Sequence, residues 1–119
     1  MKSLTKGVIA VIDDEVDVCN CLSGIFTHMG YKVVTASTSE EVGNISKHRA
    51  DITFMDVRLG RKSGTDLCTE LKQETPGAKV ILMSGYEDLE EKAQQCKADS
   101  WLQKPFDINK LLSAMKKIL

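Results

Sequence analysis

The sequence predicts an α/β fold: a single, doubly wound, five-stranded parallel sheet in the order 2-1-3-4-5 with five helices. Short apolar runs alternate five times with stretches of helical periodicity, which is typical of a parallel sheet covered by helices on both faces. Acidic, hydroxyl or ammonium groups follow four of the five runs, at the edge where open α/β sheets bind ligands. In the 2-1-3-4-5 order the second strand should not contribute to that site, and no charged residue follows its run.

The first half of the chain supplies two strands and two helices. Val8–Ile12 is the first predicted strand, and a helix ending near Gly30 follows it. Apolar residues at helical spacing form the buried face of that helix: Val18, Leu22, Ile25, Phe26 and Met29. Lys32–Ala36 is the second predicted strand. Thr38 and Glu41 have the spacing of a capping box, which predicts a short helix through Ile45.

The middle of the chain repeats this alternation. Ile52–Met55 is continuously apolar, as expected of a strand covered on both faces. A third helix should begin at Gly64 and stop before Pro76, with Leu67, Cys68 and Leu71 on its buried face. Val80–Met83 is the fourth predicted strand, and Leu89, Ala93 and Cys96 mark a fourth helix.

The last predicted strand and helix complete the fold. Ser100–Gln103 is the fifth strand, and Asp107 is a good N-cap for the fifth helix. The predicted buried face of that helix comprises Ile108, Leu111, Leu112 and Met115.

Length and composition favour one domain, residues 1–119, with an ordinary soluble composition. With 16 basic and 17 acidic residues the net charge is −1, which gives no electrostatic footprint for binding nucleic acid or an anionic membrane. No apolar run approaches the roughly 20 residues of a membrane span, and no secretory signal is evident, so we expect a cytoplasmic protein. The four cysteines, Cys19, Cys21, Cys68 and Cys96, lack paired metal-site spacing and are interpreted as buried, reduced thiols.

Five polar side chains follow strands whose carboxyl ends should meet. Asp13 and Asp14 follow the first strand, Asp56 the third, Ser84 ends the fourth, and Lys104 follows the fifth. Carboxylates gathered within a few ångströms repel one another unless a cation joins them. Mg²⁺ is the natural cation because it prefers oxygen ligands and keeps several waters, with Mn²⁺ as an alternative. The cluster therefore predicts a divalent metal and a phosphoryl group.

Each of these features has a simpler explanation when taken alone. Asp13-Asp14 is a good N-cap for a helix, Ser84-Gly85 is typical of a turn, and Lys104 could lie in any exposed loop. All of them at strand ends, in the order that the topology requires, favour a functional site instead.

These residues give the chain its resemblance to the receiver domains of two-component response regulators, along essentially its whole length. Four segments carry the resemblance: Val-Ile-Asp13-Asp14-Glu15, Asp56 with Gly64, Met83-Ser84-Gly85-Tyr86, and Lys104-Pro105-Phe106. Any one of them is a weak signal, whereas the set is specific.

The resemblance implies a phosphoacceptor and a metal site. Asp56 would accept a phosphoryl group from a histidine kinase or a phosphotransfer protein. Asp13, Asp14, Asp56 and the backbone carbonyl of Arg58 would hold Mg²⁺.

The resemblance also implies which residues contact the phosphoryl group. Ser84, Gly85 and Lys104 would do so, and the peptide bond before Pro105 would be cis, which is the minority isomer of X–Pro bonds. Ser84 and Trp101 occupy the positions of the family's conformational switch, although Trp101 is equally well interpreted as a core residue.

Four positions depart from the family pattern or tune it. Gly60 stands where proline is usual, which should leave the loop after the third strand more mobile. Trp101 replaces the usual Tyr or Phe, and its size bears on whether it can rotate inward toward Ser84. Arg58 and Tyr86 lie two residues beyond Asp56 and Ser84, and we hypothesise from their size that they shield the acyl phosphate from hydrolysis.

The function implied is a phosphorylation-activated switch and not an enzyme, apart from assisting its own phosphotransfer and slow autodephosphorylation. Phosphorylation would shift the surface of the fourth helix, fifth strand and fifth helix, which would bind an output domain, a partner protein or a second copy. That surface would include Tyr86, Glu87, Gln103 and Lys110. The phosphodonor would dock beside the first helix, near Val16 and Cys19.

Two other functions stay open. A small phosphohydrolase with an aspartyl nucleophile usually needs a second acid two residues later, where this chain has Arg58. A phosphate-independent pseudo-receiver would share the fold, and Gly60 and Trp101 keep that alternative open. The chain is expected to be a stand-alone regulator or a domain excised from a longer protein.

Overall fold

The computed structural model describes residues 6–45, 49–85 and 88–118. Five parallel strands form one sheet in the order β2-β1-β3-β6-β7, and two short strands form a separate antiparallel hairpin. In chain order the elements are β1 (Val8–Ile12), α1 (Val16–His28), β2 (Lys32–Ala36), α2 (Ser39–Ile45), β3 (Ile52–Asp56), β4 (Arg58–Leu59), β5 (Lys62–Ser63), α3 (Gly64–Glu74), β6 (Lys79–Ser84), α4 (Leu89–Gln95), β7 (Ser100–Gln103) and α5 (Ile108–Lys116). The predicted doubly wound fold is confirmed, since the five parallel strands follow the 2-1-3-4-5 order.

Two hydrophobic layers cover the faces of the sheet. Successive residues of a strand point to opposite faces, so Ile9 and Val11 of β1 pack with α1 and α5, whereas Ala10 and Ile12 pack with α2, α3 and α4. β3 and β6 are almost continuously apolar because both of their faces are buried.

The register of the sheet aligns the ends of the strands. Ile12 of β1 pairs with Met55 of β3, and Asp56, at the end of β3, pairs with Met83 of β6. Ser84 at the end of β6 pairs with Gln103, the last residue of β7. The residues that follow these positions therefore emerge along one edge.

A small hairpin after β3 was not predicted from the sequence. Leu59 pairs with Lys62, and Gly60 in the two-residue turn between them has a φ of +61°. This left-handed conformation suits glycine, and it is closed to proline, whose ring fixes φ near −65°. Gly60 thus builds a tight turn between β4 and β5.

The structure corrects the predicted burial of two side chains, Ile108 of α5 and Cys21 of α1. Ile108 is 53% exposed, because α5 begins there and its buried stripe is formed by Leu111, Ala114 and Met115. Cys21 is exposed, since it lies between the inward-facing positions of α1. The other three cysteines are buried, as predicted.

Across the described ranges, no helix is long and apolar enough to cross a membrane.

Candidate functional site

The centre of the site is an ammonium group surrounded by carboxylates. Lys104 Nζ lies 2.7 Å from Asp13 Oδ2, 3.1 Å from Glu15 Oε1 and 3.5 Å from Asp56 Oδ2. Asp13 is completely buried, and its other oxygen, Oδ1, accepts a hydrogen bond of 2.9 Å from the backbone N–H of Glu15. The turn after β1 therefore holds Asp13 in the floor of the site.

Asp56 is in an environment that disfavours its charged form. Burial and then the negative charge of Asp13 raise the pKa of Asp56 to about 7, although the charge of Lys104 acts in the opposite direction. The backbone N–H of Arg58 donates to Asp56 Oδ1 at 3.3 Å. Lys104 shows the complementary effect: burial tends to lower its pKa, but the hydrogen bond with Asp13 and the charge of Asp56 outweigh burial, so the pKa is raised. Near neutral pH the Asp56 carboxyl group is thus poised between its two protonation states, beside a fixed positive charge.

Glu15 is a member of the acidic cluster that was absent from our predicted metal ligands. One oxygen from each of Asp13, Asp14, Glu15 and Asp56 lies within 4.8 Å of the others. The position of Glu15 directly after Asp13-Asp14 in the sequence was the signal that could have identified it as a member of the cluster. The donor set is chemically suited to Mg²⁺, because it consists of hard carboxylate oxygens and two of the four residues, Asp14 and Glu15, are exposed to water.

A cleft of about 820 Å³ opens above these groups. Its polar lining includes Asp14, Asp56, Ser84 and Lys104. Its apolar lining includes Val18 of α1 and Phe106 of the β7–α5 connection. The cleft has room for a phosphoryl group and part of its donor beside the carboxylate of Asp56.

Gly64 supports the site from below. A Cβ atom on Gly64 would overlap the backbone carbonyl oxygen of Asp56, and the Gly64 N–H donates to the Val57 carbonyl at 2.6 Å. The first turn of α3 therefore packs directly against the backbone that carries the candidate phosphoacceptor. Only glycine permits this approach.

Cys19 of α1 contacts the backbone of Asp13 in the site. Its thiol is buried and donates to the backbone carbonyl of Asp13 at 3.3 Å. We expected the phosphodonor to dock on the side of α1 near Val16 and Cys19. Cys19 faces inward, whereas Val16 is 56% exposed.

The remaining predicted residues divide between the site and its surroundings. Ser84 is buried at the end of β6, and its carbonyl accepts from the Lys104 N–H at 2.8 Å. Gly85 and Arg58 line the cleft, and the Lys104–Pro105 peptide bond is cis. Tyr86 and Glu87 lie outside the described residues.

Trp101 lies on β7, away from the cleft. It is partly buried against the core layer of α2, α3 and α4, and Nζ of Lys117, the residue after α5, lies 4.9 Å from the centre of its ring. The structure therefore shows Trp101 as a packed residue with a cation above it.

Comparisons with known proteins show what this chain is similar to in sequence and in fold. A family model described as the response regulator receiver domain matches residues 9–116. The probable transcriptional regulatory protein TcrX of Mycobacterium tuberculosis is 27% identical over 114 residues, which are 93% of this chain and 49% of TcrX. This chain thus spans about half the length of that relative.

Solved structures show the same fold. A CheY-like response regulator receiver domain protein from Methanospirillum hungatei has a TM-score of 0.85 and 27% identity, with 93% of this chain and 91% of that chain covered. The response regulator protein TrrA of Thermotoga maritima, solved in complex with Mg²⁺-BeF, has a TM-score of 0.83 and 26% identity, with 95% and 99% covered.

Proposed function

This chain belongs to the family of response regulator receiver domains, and we propose that it is a phosphorylation-activated switch of a two-component phosphorelay. The observation that carries the proposal is the placement of Asp56 beside Lys104 and the Asp13–Asp14 pair at the mouth of an open cleft. Residues 1–119 would act as one receiver domain in the cytoplasm. The domain is regulatory and accepts phosphate, and its only chemistry would be its own phosphotransfer and slow autodephosphorylation.

Asp56 would be the phosphoacceptor. One of its carboxylate oxygens would attack the phosphorus of a phosphohistidine on a histidine kinase or phosphotransfer protein. The new O–P bond forms an acyl phosphate as the N–P bond breaks and its electron pair returns to the imidazole. Such a transfer depends mainly on positioning and on neutralising the charge of the phosphoryl oxygens.

Mg²⁺ would be held by Asp13, Asp14, Asp56 and the backbone carbonyl of Arg58, with Mn²⁺ as an alternative. When bound, it would supply positive charge to the phosphoryl oxygens. Glu15 joins the cluster in the structure and is a further candidate ligand. The similar TrrA protein was solved in complex with Mg²⁺-BeF, which supports this assignment by similarity.

Lys104 would change partners during phosphorylation. In the structure its ammonium group is shared by three carboxylates, and the most distant of the three is Asp56. The phosphoryl oxygens would compete for that ammonium group, while Ser84 and Gly85 would contact the same oxygens from the end of β6. Ser84 and Trp101 would be the switch residues that pass the change to the surface of α4, β7 and α5.

That surface would bind the output domain, a partner protein or a second copy of the chain. Gln103 and Lys110 are exposed on it. The phosphodonor would dock beside α1, where Val16 is exposed and its sequence neighbours Glu15 and Asp17 line the cleft.

The test is intact mass spectrometry after incubation with acetyl phosphate, with and without Mg²⁺. We expect a gain of one phosphoryl group in the wild type that depends on Mg²⁺ and is absent in Asp56→Asn. Asp66→Asn, which changes an exposed carboxylate of α3, is the matched control and should be phosphorylated like the wild type. If a folded, Mg²⁺-supplied protein gains no phosphate from acetyl phosphate or from a protein phosphodonor, the chain is a phosphate-independent pseudo-receiver.

Arg58 and Tyr86 would slow hydrolysis of the acyl phosphate by shielding it from water. Arg58 is exposed and lines the cleft. We expect Arg58→Ala combined with Tyr86→Ala to shorten the lifetime of the phosphorylated protein, measured by the decay of the phosphorylated mass. Arg61→Ala, at an exposed position of the adjacent hairpin turn, is the control. An unchanged decay rate in the double variant would refute the shielding role.

A further inference from the structure

Two cysteines that the phosphorylation site does not use meet where α3 contacts the end of α4. Cys68 of α3 is fully buried, and Cys96, which follows the last residue of α4, is 3% exposed. The Cys68 thiol donates to the Cys96 backbone carbonyl at 3.5 Å, and the Cys96 thiol donates to the Ala93 backbone carbonyl at 3.7 Å. Their positions are 28 residues apart in the sequence, so the contact is made by the tertiary fold.

The two thiols differ in how readily they ionise. The adjacent Cys68 side chain lowers the pKa of the Cys96 thiol to about 7, because a neighbouring S–H group favours the thiolate form. The proximity of Cys96, together with burial, raises the pKa of Cys68. The pair thus contains a nucleophile and an adjacent thiol that can resolve the first product of its oxidation.

Helix α4, which Cys96 follows directly, buries few apolar side chains. α4 has seven residues, of which Leu89 and Ala93 are buried, and the rest are polar and mostly exposed. Short helices with few buried apolar contacts open at low free energy. Opening of the last turn of α4 would admit a small oxidant to Cys96, whereas Cys68 is covered by the core.

We propose that Cys68 and Cys96 form a reversible redox site that a hydroperoxide converts into a disulfide between α3 and α4. In the first step the Cys96 thiolate attacks one oxygen of the peroxide, the O–O bond breaks, and hydroxide or alkoxide leaves. Cys96 is now a sulfenic acid. In the second step the sulfur of Cys68 displaces the hydroxyl group as water and forms the S–S bond. For hydrogen peroxide the balance is two thiols and one peroxide giving one disulfide and two waters.

The disulfide would fasten the end of α4 to α3. Trp101 packs against the same core layer as both cysteines, so the link would also restrain the β7 side of that layer. This consequence rests on the proposed function, because it matters for signalling only if phosphorylation shifts the α4, β7 and α5 surface. Formation of the disulfide does not depend on it.

The experiment uses the full chain carrying Cys21→Ser, which removes the exposed thiol that could link two molecules. The reduced protein is treated with hydrogen peroxide at neutral pH, and its intact mass is measured before its remaining thiols are alkylated in denaturant for peptide mapping. We expect the intact mass to fall by the mass of two hydrogen atoms, and peptide mapping to show a cross-link between the Cys68 and Cys96 peptides. Dithiothreitol should reverse both changes fully. Hydrogen exchange in α4 should be slower in the oxidised protein.

Variants locate the site. Cys96→Ala and Cys68→Ala should each abolish the loss of two hydrogens, whereas Cys19→Ala, which changes a buried thiol of α1, should leave it intact. Peptide mapping of the Cys21→Ser protein decides the proposal even if a core variant fails to fold. Oxygen addition to Cys96 without a cross-link, or a cross-link that involves Cys19, would overturn it. Phosphorylation of Asp56, measured separately by mass gain, distinguishes failure of the redox site from failure of the proposed switch.

Discussion

At the scale of single residues, the site is governed by how one lysine is shared among acids. Lys104 forms its shortest ion pair with the fully buried Asp13, so its charge compensates Asp13 first and Asp56 less. Burial and the negative charge of Asp13 therefore keep the pKa of Asp56 raised. Ionisation of Asp56 in the folded protein lowers its free energy of unfolding. A bound cation or a covalent phosphoryl group would alter this balance directly.

Replacing Asp56 by asparagine should stabilise the protein in a pH-dependent way. Because the pKa of Asp56 is raised to about 7 in the folded state, the folded protein binds the proton more tightly than the unfolded chain. The wild type thus loses free energy of unfolding as pH rises from the unfolded pKa through 7. Asp56→Asn stays neutral, so its advantage should appear over this interval and reach on the order of 1–3 kcal/mol above pH 7.

Urea unfolding of both proteins without divalent metal, at pH 5 and pH 8, measures this advantage. Asp66→Asn should give the same difference from the wild type at both values. An Asp56→Asn advantage that is equal or larger at pH 5 would contradict the assignment.

Gly64 is a position at which one methyl group should damage the fold and the site together. The new Cβ would overlap the Asp56 carbonyl, so α3 or the end of β3 must shift. We expect Gly64→Ala to cost roughly 1–3 kcal/mol, the range of overpacked cores, and to slow phosphorylation by acetyl phosphate. Thermal unfolding and the rate of mass gain measure the two effects.

Gly24→Ala is the matched control. Apart from the backbone of α1 itself, no atom of the described residues lies within 4 Å of a Cβ added at Gly24, which is exposed in the middle of α1. Alanine there should stabilise the protein by roughly 0.5–1 kcal/mol through helix propensity and leave phosphorylation unchanged. Equal stability changes in the two variants would show that Gly64 is not under steric constraint.

At the scale of elements, the ends of the helices differ in how they are fixed. Asp107 caps α5 by accepting from the Lys110 N–H at 2.8 Å, and Thr38 and Glu41 form the predicted capping interaction at α2. The N-cap residues of α1 and α4, Glu15 and Asp88, make no side-chain capping hydrogen bond. The helix beside the metal cluster and the helix of the proposed switch surface are thus the two whose first turns are less firmly held.

Two aspartates test this difference. Both Asp107 and Asp88 are N-caps, but only Asp107 accepts a capping hydrogen bond. We expect Asp107→Ala to cost about 1 kcal/mol of stability and Asp88→Ala a few tenths, mainly from its helix-dipole interaction and its exposed ion pair with Lys92. Denaturant midpoints of the two variants give the comparison, and a larger loss in Asp88→Ala would contradict it.

At the scale of the whole molecule, folding itself gathers the acidic cluster. Four carboxylates that converge within 4.8 Å in the folded state are dispersed in the unfolded chain, so a metal ion that they bind must stabilise the fold. When no cation is bound among them, the carboxylates repel one another in the folded protein and lower its stability.

Mg²⁺ should therefore raise the melting temperature. At 100 times its dissociation constant the stabilisation would be about 2.7 kcal/mol, which corresponds to several degrees. Asp14→Asn should lose most of this Mg²⁺-dependent shift, while Asp66→Asn should keep it. Scanning calorimetry with added Mg²⁺, and again after chelation by EDTA, makes the measurement. A shift that survives in Asp14→Asn would place the ion elsewhere.

The order of elements and the edge at which the site forms follow from the sequence pattern alone. Apolar runs bounded by turn residues predict strands, and parallel strands in the order 2-1-3-4-5 must bring Asp13, Asp56, Ser84 and Lys104 to one edge, because side-chain period and chain direction are local properties. The N-caps Asp107 and Thr38 were also predictable, since a cap depends on residues within one turn.

Features that depend on distances between distant segments are visible only in the folded protein. The ion pair of Glu15 with Lys104 joins residues 89 positions apart, and the overlap that forbids a side chain at Gly64 involves the backbone of β3. The meeting of Cys68 with Cys96 and the burial stripe that leaves Ile108 exposed are likewise set by how helices pack on the sheet. Periodicity specifies which face of a helix is apolar, but packing alone fixes where that face begins and what it touches.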